Sequence, residues 1–196
     1  MSIGEAAFFV NVAGVFPYLK GTLWGPVRPE RTTWLIWSVI LGLSLLGYRE
    51  LGAEDSIWFA LADFLVCFTV FVISLFRGTG GWSRFDLICL GVALLGVVAW
   101  QASDRTILVF AGTLTADVMG LLPTLKKSLQ DPTSERASVY VCSSLASAMG
   151  FIAVGVWDWS LMFYPLYLFL VNGIVAQTVL VGQYQLRKAK RVAAHA

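Results

Sequence analysis

Charge is what this sequence has least of. Only 13% of its 196 residues are Asp, Glu, Lys or Arg, against about 25% in an ordinary soluble domain. With 58% hydrophobic residues and a mean hydropathy of +0.75, a soluble globular domain is a poor fit, and lipid is the expected solvent. Histidine is almost missing: the one copy, His195, stands in the tail, which removes most metal sites and histidine-based catalysis. The three cysteines, Cys67, Cys89 and Cys142, lie inside apolar runs without metal-ligand spacing and read as small hydrophobes. No basic segment opens the chain as a standard signal peptide requires. Neither a nucleophile–base pair nor a phosphate loop is visible. The expectation is therefore not an enzyme, with no cofactor, no metal and no nucleic acid.

Long apolar runs, by contrast, are plentiful. A hydrocarbon core of about 30 Å needs roughly 20 residues of helix. Seven runs qualify, at about 3–19, 33–48, 56–76, 85–100, 106–125, 138–156 and 159–186. Gly-, Pro- and charge-rich breaks such as "GPVRPER", "RGTGGWSR" and "QDPTSER" separate them. The expected fold is all-α, a polytopic membrane protein of seven transmembrane helices. Basic residues sort by side. One side carries 12 Lys and Arg (Lys20, Arg28, Arg31; Arg77, Arg84; Lys126, Lys127, Arg136; Arg187, Lys188, Lys190, Arg191) and the other only Arg49 and Arg105. The positive-inside rule puts the N-terminus outside and the C-terminus in the cytoplasm, in a plasma (inner) membrane.

The runs also repeat. Sliding the sequence by 106 residues puts Asn11 on Asp117, Gly14 on Gly120, Pro17 on Pro123, Leu19 on Leu125 and Lys20 on Lys126. The loops that follow, "GPVRPERTT" and "DPTSERAS", both read Pro, then Glu-Arg, then small hydroxyl residues. Apolar similarity alone does not reproduce Gly, Pro, Lys, Pro and Glu-Arg in order, so a duplication is expected. The layout is a first three-helix bundle at 1–80, a linker helix at 81–104, a second three-helix bundle at 105–187 and a basic cytoplasmic tail at 188–196. The odd helix between the units makes them parallel, as in several transporters.

With "FPYLKGTLWGPVRPERTTW" and "LPTLKKSLQDPTSERASVY" as its motifs, the chain resembles the SWEET and PQ-loop superfamily. Where the PQ motif has Gln after this Pro, the chain has Tyr18 and Thr124, a divergent form. The resemblance implies a transporter fold, and prolines on pore helices that permit rocking between inward-open and outward-open states. Pro17, Pro123, Gly14 and Gly120 are the corresponding hinge or gate candidates.

A solute site is expected near the midplane. At about 1.5 Å rise per residue, Asn11 and Asp117 each lie on the order of 13 Å from the lysine that marks the cytoplasmic edge. Asp63 and Asn172 reach a similar depth from the third helix of each unit. A carboxylate at that depth costs a few kcal/mol and marks a functional position by default, although a neutral Asp bonding two helices together is also open. Helical spacing places Thr113, Asp117, Gly120 and Thr124 on one face and Ala7, Asn11, Gly14 and Tyr18 on another. Tyr140, Ser143, Ser144, Ser147 and Gly150 form a polar stripe, and Trp34 and Trp37 an aromatic one; the small residues fit close helix packing equally well. The candidate binding residues are Asn11, Asp63, Asp117, Asn172, Trp34, Trp37 and Ser144.

The expected function is transport of a small polar solute, a sugar, vitamin, nucleoside or amino acid, by alternating access, with protons as a further partner. A receptor or an accessory subunit of a membrane complex is the alternative, and a homo-oligomer is left open. A retinal protein is excluded by the lack of lysine in the seventh run.

Overall fold

The structure of the chain, a computed structural model, describes residues 1–102 and 106–193. Arg105 and His195 lie outside the described residues. Those residues form seven α-helices: α1 (Ile3–Trp24), α2 (Arg31–Glu50), α3 (Ile57–Arg77), α4 (Arg84–Gln101), α5 (Thr106–Gln130), α6 (Ala137–Ala153) and α7 (Trp159–Ala193). A single 3-10 turn, Pro132–Ser134, precedes α6. Helix is what an apolar run must form in lipid, because it satisfies every backbone polar group within the segment.

The ends have local causes. Ser2 starts α1 with a capping box: its hydroxyl accepts from the Glu5 N–H at 3.1 Å, and the Glu5 carboxylate accepts from the Ser2 N–H at 2.8 Å. Helices α1, α5 and α7 run beyond the apolar stretches expected from hydropathy, to Trp24, Gln130 and Ala193. Backbone pairing continues while Lys20, Lys126, Arg187, Lys188, Lys190 and Arg191 of these turns are exposed. Helix α6 ends earlier, at Ala153, and the chain turns at Gly155 with φ +71°, a conformation that suits glycine. Pro17 and Pro123 lie inside uninterrupted helices.

Helices α1, α3 and α7 are long and apolar enough to cross a membrane, and α6 is a shorter apolar helix. Phe9, Phe16, Leu95 and Leu170 are each more than half exposed, as are many other large apolar side chains. A surface of that kind suits lipid, not water. These are the features of a membrane protein.

Helix α3 packs on α1 and α2, and α7 on α5 and α6. Two further pairs, α1 with α6 and α2 with α5, join these groups, and α4 lies along α5. Glycine permits both joining contacts. A Cβ on Gly14 would collide with Cys142 of α6, and one on Gly120 would lie 3.0 Å from the Trp37 ring and 3.1 Å from Ile36 of α2. At one end of the bundle the loops knit together: the Arg28 N–H donates to the Ser134 carbonyl at 2.9 Å, and Gln183 donates to the Pro132 and Glu135 carbonyls. At the other end Gly4 N–H donates to the Asp55 carboxylate at 2.9 Å, and Tyr48 O–H to the Leu161 carbonyl at 2.8 Å.

Candidate functional site

Asn11 is completely buried on the inner face of α1. Its Nδ2 donates to Asp63 Oδ1 of α3 at 2.6 Å, and its Oδ1 accepts from Ser143 Oγ of α6 at 2.8 Å. One amide therefore joins three helices. Asp117 holds the corresponding place on α5 and is 2% exposed. Its Oδ2 accepts from the Tyr167 hydroxyl of α7 at 2.8 Å, and its main-chain carbonyl accepts a long bond from Trp37 Nε1 of α2 at 3.4 Å. The two junctions match in position and differ in polarity. In the first the carboxylate stands on α3 and the donor on α1; in the second the carboxylate stands on α5 and the donor on α7.

Between the junctions lies a cavity of about 20 Å³, room for a water molecule. Asp63 and Asp117 line it, with Asn172, Ser143, Cys67 and the rings of Trp34, Trp37 and Tyr140. Its walls come from α2, α3, α5, α6 and α7. Among the described residues, no Lys, Arg or His lines it.

Aromatic layers flank this cavity. Toward the end where the basic loops meet, Trp34 stacks on Tyr140 at 6.4 Å between ring centres, and Tyr18 meets both rings edge-on. Beyond them the Tyr140 hydroxyl donates to Glu135 Oε2 at 3.0 Å, and the Lys127 ammonium pairs with Glu135 Oε1 and donates to the Arg28 carbonyl. Glu135 is 1% exposed, so Lys127 supplies the compensation that a buried carboxylate needs. Toward the opposite end Tyr164 stacks on Tyr167 at 6.2 Å, and Phe59 fills the space above Gly150.

Glu30, the earlier of the two Glu-Arg glutamates, is also buried but is not matched in the same way. It is 4% exposed, packs against Gly80, and its Oε1 has no hydrogen-bond partner. Burial, reinforced by the Asp86 carboxylate, raises its pKa from the ordinary 4.5 to about 7; Lys127, the Thr32 backbone and Arg31 act in the opposite direction.

Of the residues singled out in the sequence, Asp63, Asp117, Asn172, Trp34 and Trp37 come together around the cavity. Asn11 stands behind Asp63 and holds it. Ser144 turns elsewhere and donates to the Phe169 carbonyl at 2.8 Å, tying α6 to α7; its neighbour Ser143 faces the cavity instead. Asn172 donates an N–H to the Leu168 carbonyl one turn earlier at 3.0 Å. Gly14 and Gly120 sit at helix crossings, Pro17 is exposed on the outer face of α1, and Pro123 is buried.

Tyr167, Tyr140 and the paired Lys127 and Glu135 were not singled out as site residues. A signal for Tyr167 does exist. A slide of 104 residues, two fewer than for the first helix, puts Ser56 on Ser160, Phe59 on Phe163 and Asp63 on Tyr167. No protein-family model, curated protein or solved structure matches this chain.

Proposed function

We propose that the protein is an integral membrane transporter of a small polar solute that works by alternating access. The cavity carries this reading: two carboxylates and an asparagine set midway along the helices, inside walls supplied by five of them. Polar groups at such depth are costly in a membrane and are expected where a solute or ion passes. The proposed topology has seven spans, as two parallel three-helix units about α4, with the N-terminus outside and the C-terminus in the cytoplasm of a plasma (inner) membrane.

The pattern of helix contacts supports the two-unit reading. Exchanging α1, α2 and α3 with α5, α6 and α7 maps the α1–α3 pair onto α5–α7, α2–α3 onto α6–α7, and α1–α6 onto α5–α2. The basic loops meeting at one end support the orientation. On this proposal the contacts of Lys127, Glu135 and Tyr140 form the cytoplasmic closure, and the Tyr48–Leu161 bond belongs to the outer one. The crossings at Gly14 and Gly120 are where the units rock, with Pro17 and Pro123 softening the same helices. Proton linkage through Asp117 is part of the proposal.

Uptake into proteoliposomes from a panel of sugars, vitamins, nucleosides and amino acids tests it, with Asp117→Asn measured alongside. Saturable uptake by the parent chain, lost or made independent of a pH gradient in the variant, is the expected result. No uptake of any panel solute, together with stable co-purification of a partner protein, would replace this reading with that of a receptor or accessory subunit.

A further inference from the structure

The lining of the cavity bears on the charge of the solute, and the inference below rests on the cavity being the solute site. We propose that it binds a small organic cation, with an ammonium group seated between Asp63 and Asp117 and against the rings of Trp34, Trp37 and Tyr140.

Two carboxylates line one water-sized space, and among the described residues no Lys, Arg or His lines it with them. Their donors are neutral, an amide on Asp63 and a phenol on Asp117. Neutral donors satisfy lone pairs but do not cancel charge, and an uncompensated buried charge is costly. The contrast with Glu135, which is equally buried and is met by Lys127, lies in the same bundle. A proton can supply the missing positive charge while the cavity is empty, as proton linkage through Asp117 requires, and a ligand ammonium is placed to take over that role. The Asn11 amide holds Asp63 by Oδ1, which leaves its second oxygen to a ligand, and Tyr167 holds Asp117 by Oδ2 with Tyr164 also beside that carboxylate.

The remaining wall selects among cations. Hard metal ions favour six or more oxygen ligands, whereas this wall offers three aromatic rings beside its two carboxylates. Aromatic faces attract ammonium groups, and more so where water is excluded. A neutral sugar could take hydrogen bonds here but would bring no positive charge to the pair, and an anion would add charge of the wrong sign. The present space of about 20 Å³ is smaller than any organic ammonium, so binding requires the walls to part, which is the motion alternating access supplies.

The test uses the full chain in lipid nanodiscs and pairs of compounds that differ in charge and little in shape. Choline and its neutral isostere 3,3-dimethylbutan-1-ol form the first pair, 2-phenylethylamine and 2-phenylethanol the second, with glucose as a neutral polar control. Binding is read by tryptophan fluorescence, since Trp34 and Trp37 line the site, and by thermal stabilisation. The expected result is binding of at least one ammonium compound about tenfold or more tighter than its neutral twin, a difference of about 1.4 kcal/mol. Asp63→Asn and Asp117→Asn should each weaken the ammonium compound and leave the alcohol unchanged. Equal binding within both pairs, or no binding of either ammonium compound, overturns the proposal. This comparison is made on the unaltered chain, so a failure of either variant to fold does not protect the proposal. Charge-selective binding without uptake would refute the transport reading alone, while uptake of neutral solutes with no preference for cations would refute the cation site alone.

Discussion

Replacing Gly14 by alanine isolates the contact between α1 and α6. The added Cβ would fall on the Cys142 Cβ, 2.9 Å from its Sγ and 3.0 Å from the Ser138 carbonyl oxygen. Carbon atoms pack at about 3.5–4.0 Å, so the helices must separate by about 1 Å, and the bond from Ser138 Oγ to the Gly14 carbonyl at 3.2 Å is strained with them. Overpacking of this kind costs about 1–3 kcal/mol, and Gly14→Ala is expected near the upper end. Gly120→Ala meets its neighbours at 3.0–3.1 Å, chiefly the edge of the Trp37 ring, and needs only a few tenths of an ångström of relief; about 1 kcal/mol is expected. In thermal unfolding of the purified protein those costs correspond to melting temperatures lower by roughly 6–12 °C and 2–4 °C respectively. A double-mutant cycle sharpens the test. Cys142→Gly removes both colliding atoms and should partly rescue Gly14→Ala, whereas Cys142→Ala removes only the sulfur and should rescue it less. A stable Gly14→Ala protein, a Gly120→Ala protein more damaged than Gly14→Ala, or equal rescue by both cysteine variants would refute the close approach of α1 and α6.

Three further outcomes follow from the buried polar groups. Asn11→Leu leaves Asp63 and Ser143 without their partner and should lower stability by about 2–5 kcal/mol, while Tyr167→Phe, which strips one donor from Asp117, should cost about 1–3 kcal/mol; denaturation in detergent would rank them, and the reverse order contradicts the bonding described. Lys127→Met leaves Glu135 buried and unpaired, for a loss of about 3–5 kcal/mol, and Glu135→Gln in the same chain should recover much of it. Glu30 binds its proton more tightly in the folded chain than unfolded, since its pKa rises from 4.5 to about 7. Its contribution is therefore fully present below pH 4.5 and falls as the pH rises toward 7. Glu30→Gln should accordingly raise the melting temperature at pH 8, have little effect near pH 4.5 and flatten the profile between them; a variant equally stabilised at every pH would argue against titration of Glu30.

Part of the cavity lining was legible in the sequence because polar residues within apolar runs are few and costly. Asn11, Asp63, Asp117 and Asn172 were found that way, and all but Asn11 line the cavity. Their partners were much less legible. Tyr167 is one of many aromatic residues in a chain that is 14% aromatic, so its identity carried no signal without the slide of 104 residues. Ser143 and Ser144 are adjacent, and about 100° of helix rotation decides which of them faces inward; periodicity alone does not fix that rotation. Helix ends were legible only as the ends of apolarity, which is why α1, α5 and α7 run further than hydropathy indicates. The burial of Glu30 and Glu135 was hidden because both stand in breaks that read as ordinary charged loops. Their environment comes from Gly80, Tyr140 and Lys127, all brought in by tertiary packing.

The link between the two connecting loops is made through main-chain atoms at residue 28. Arg28 offers its N–H to the Ser134 carbonyl and its own carbonyl to Lys127. Almost any amino acid presents the same two atoms, whereas the Arg28 side chain serves its own loop, donating from Nη1 to the Gly25 and Val27 carbonyls at 2.9 Å. Alanine at position 28 would remove those local bonds and still leave both bonds of the junction in place. Only proline, which lacks the N–H, would break the bond to Ser134, and even proline would spare the carbonyl that Lys127 uses.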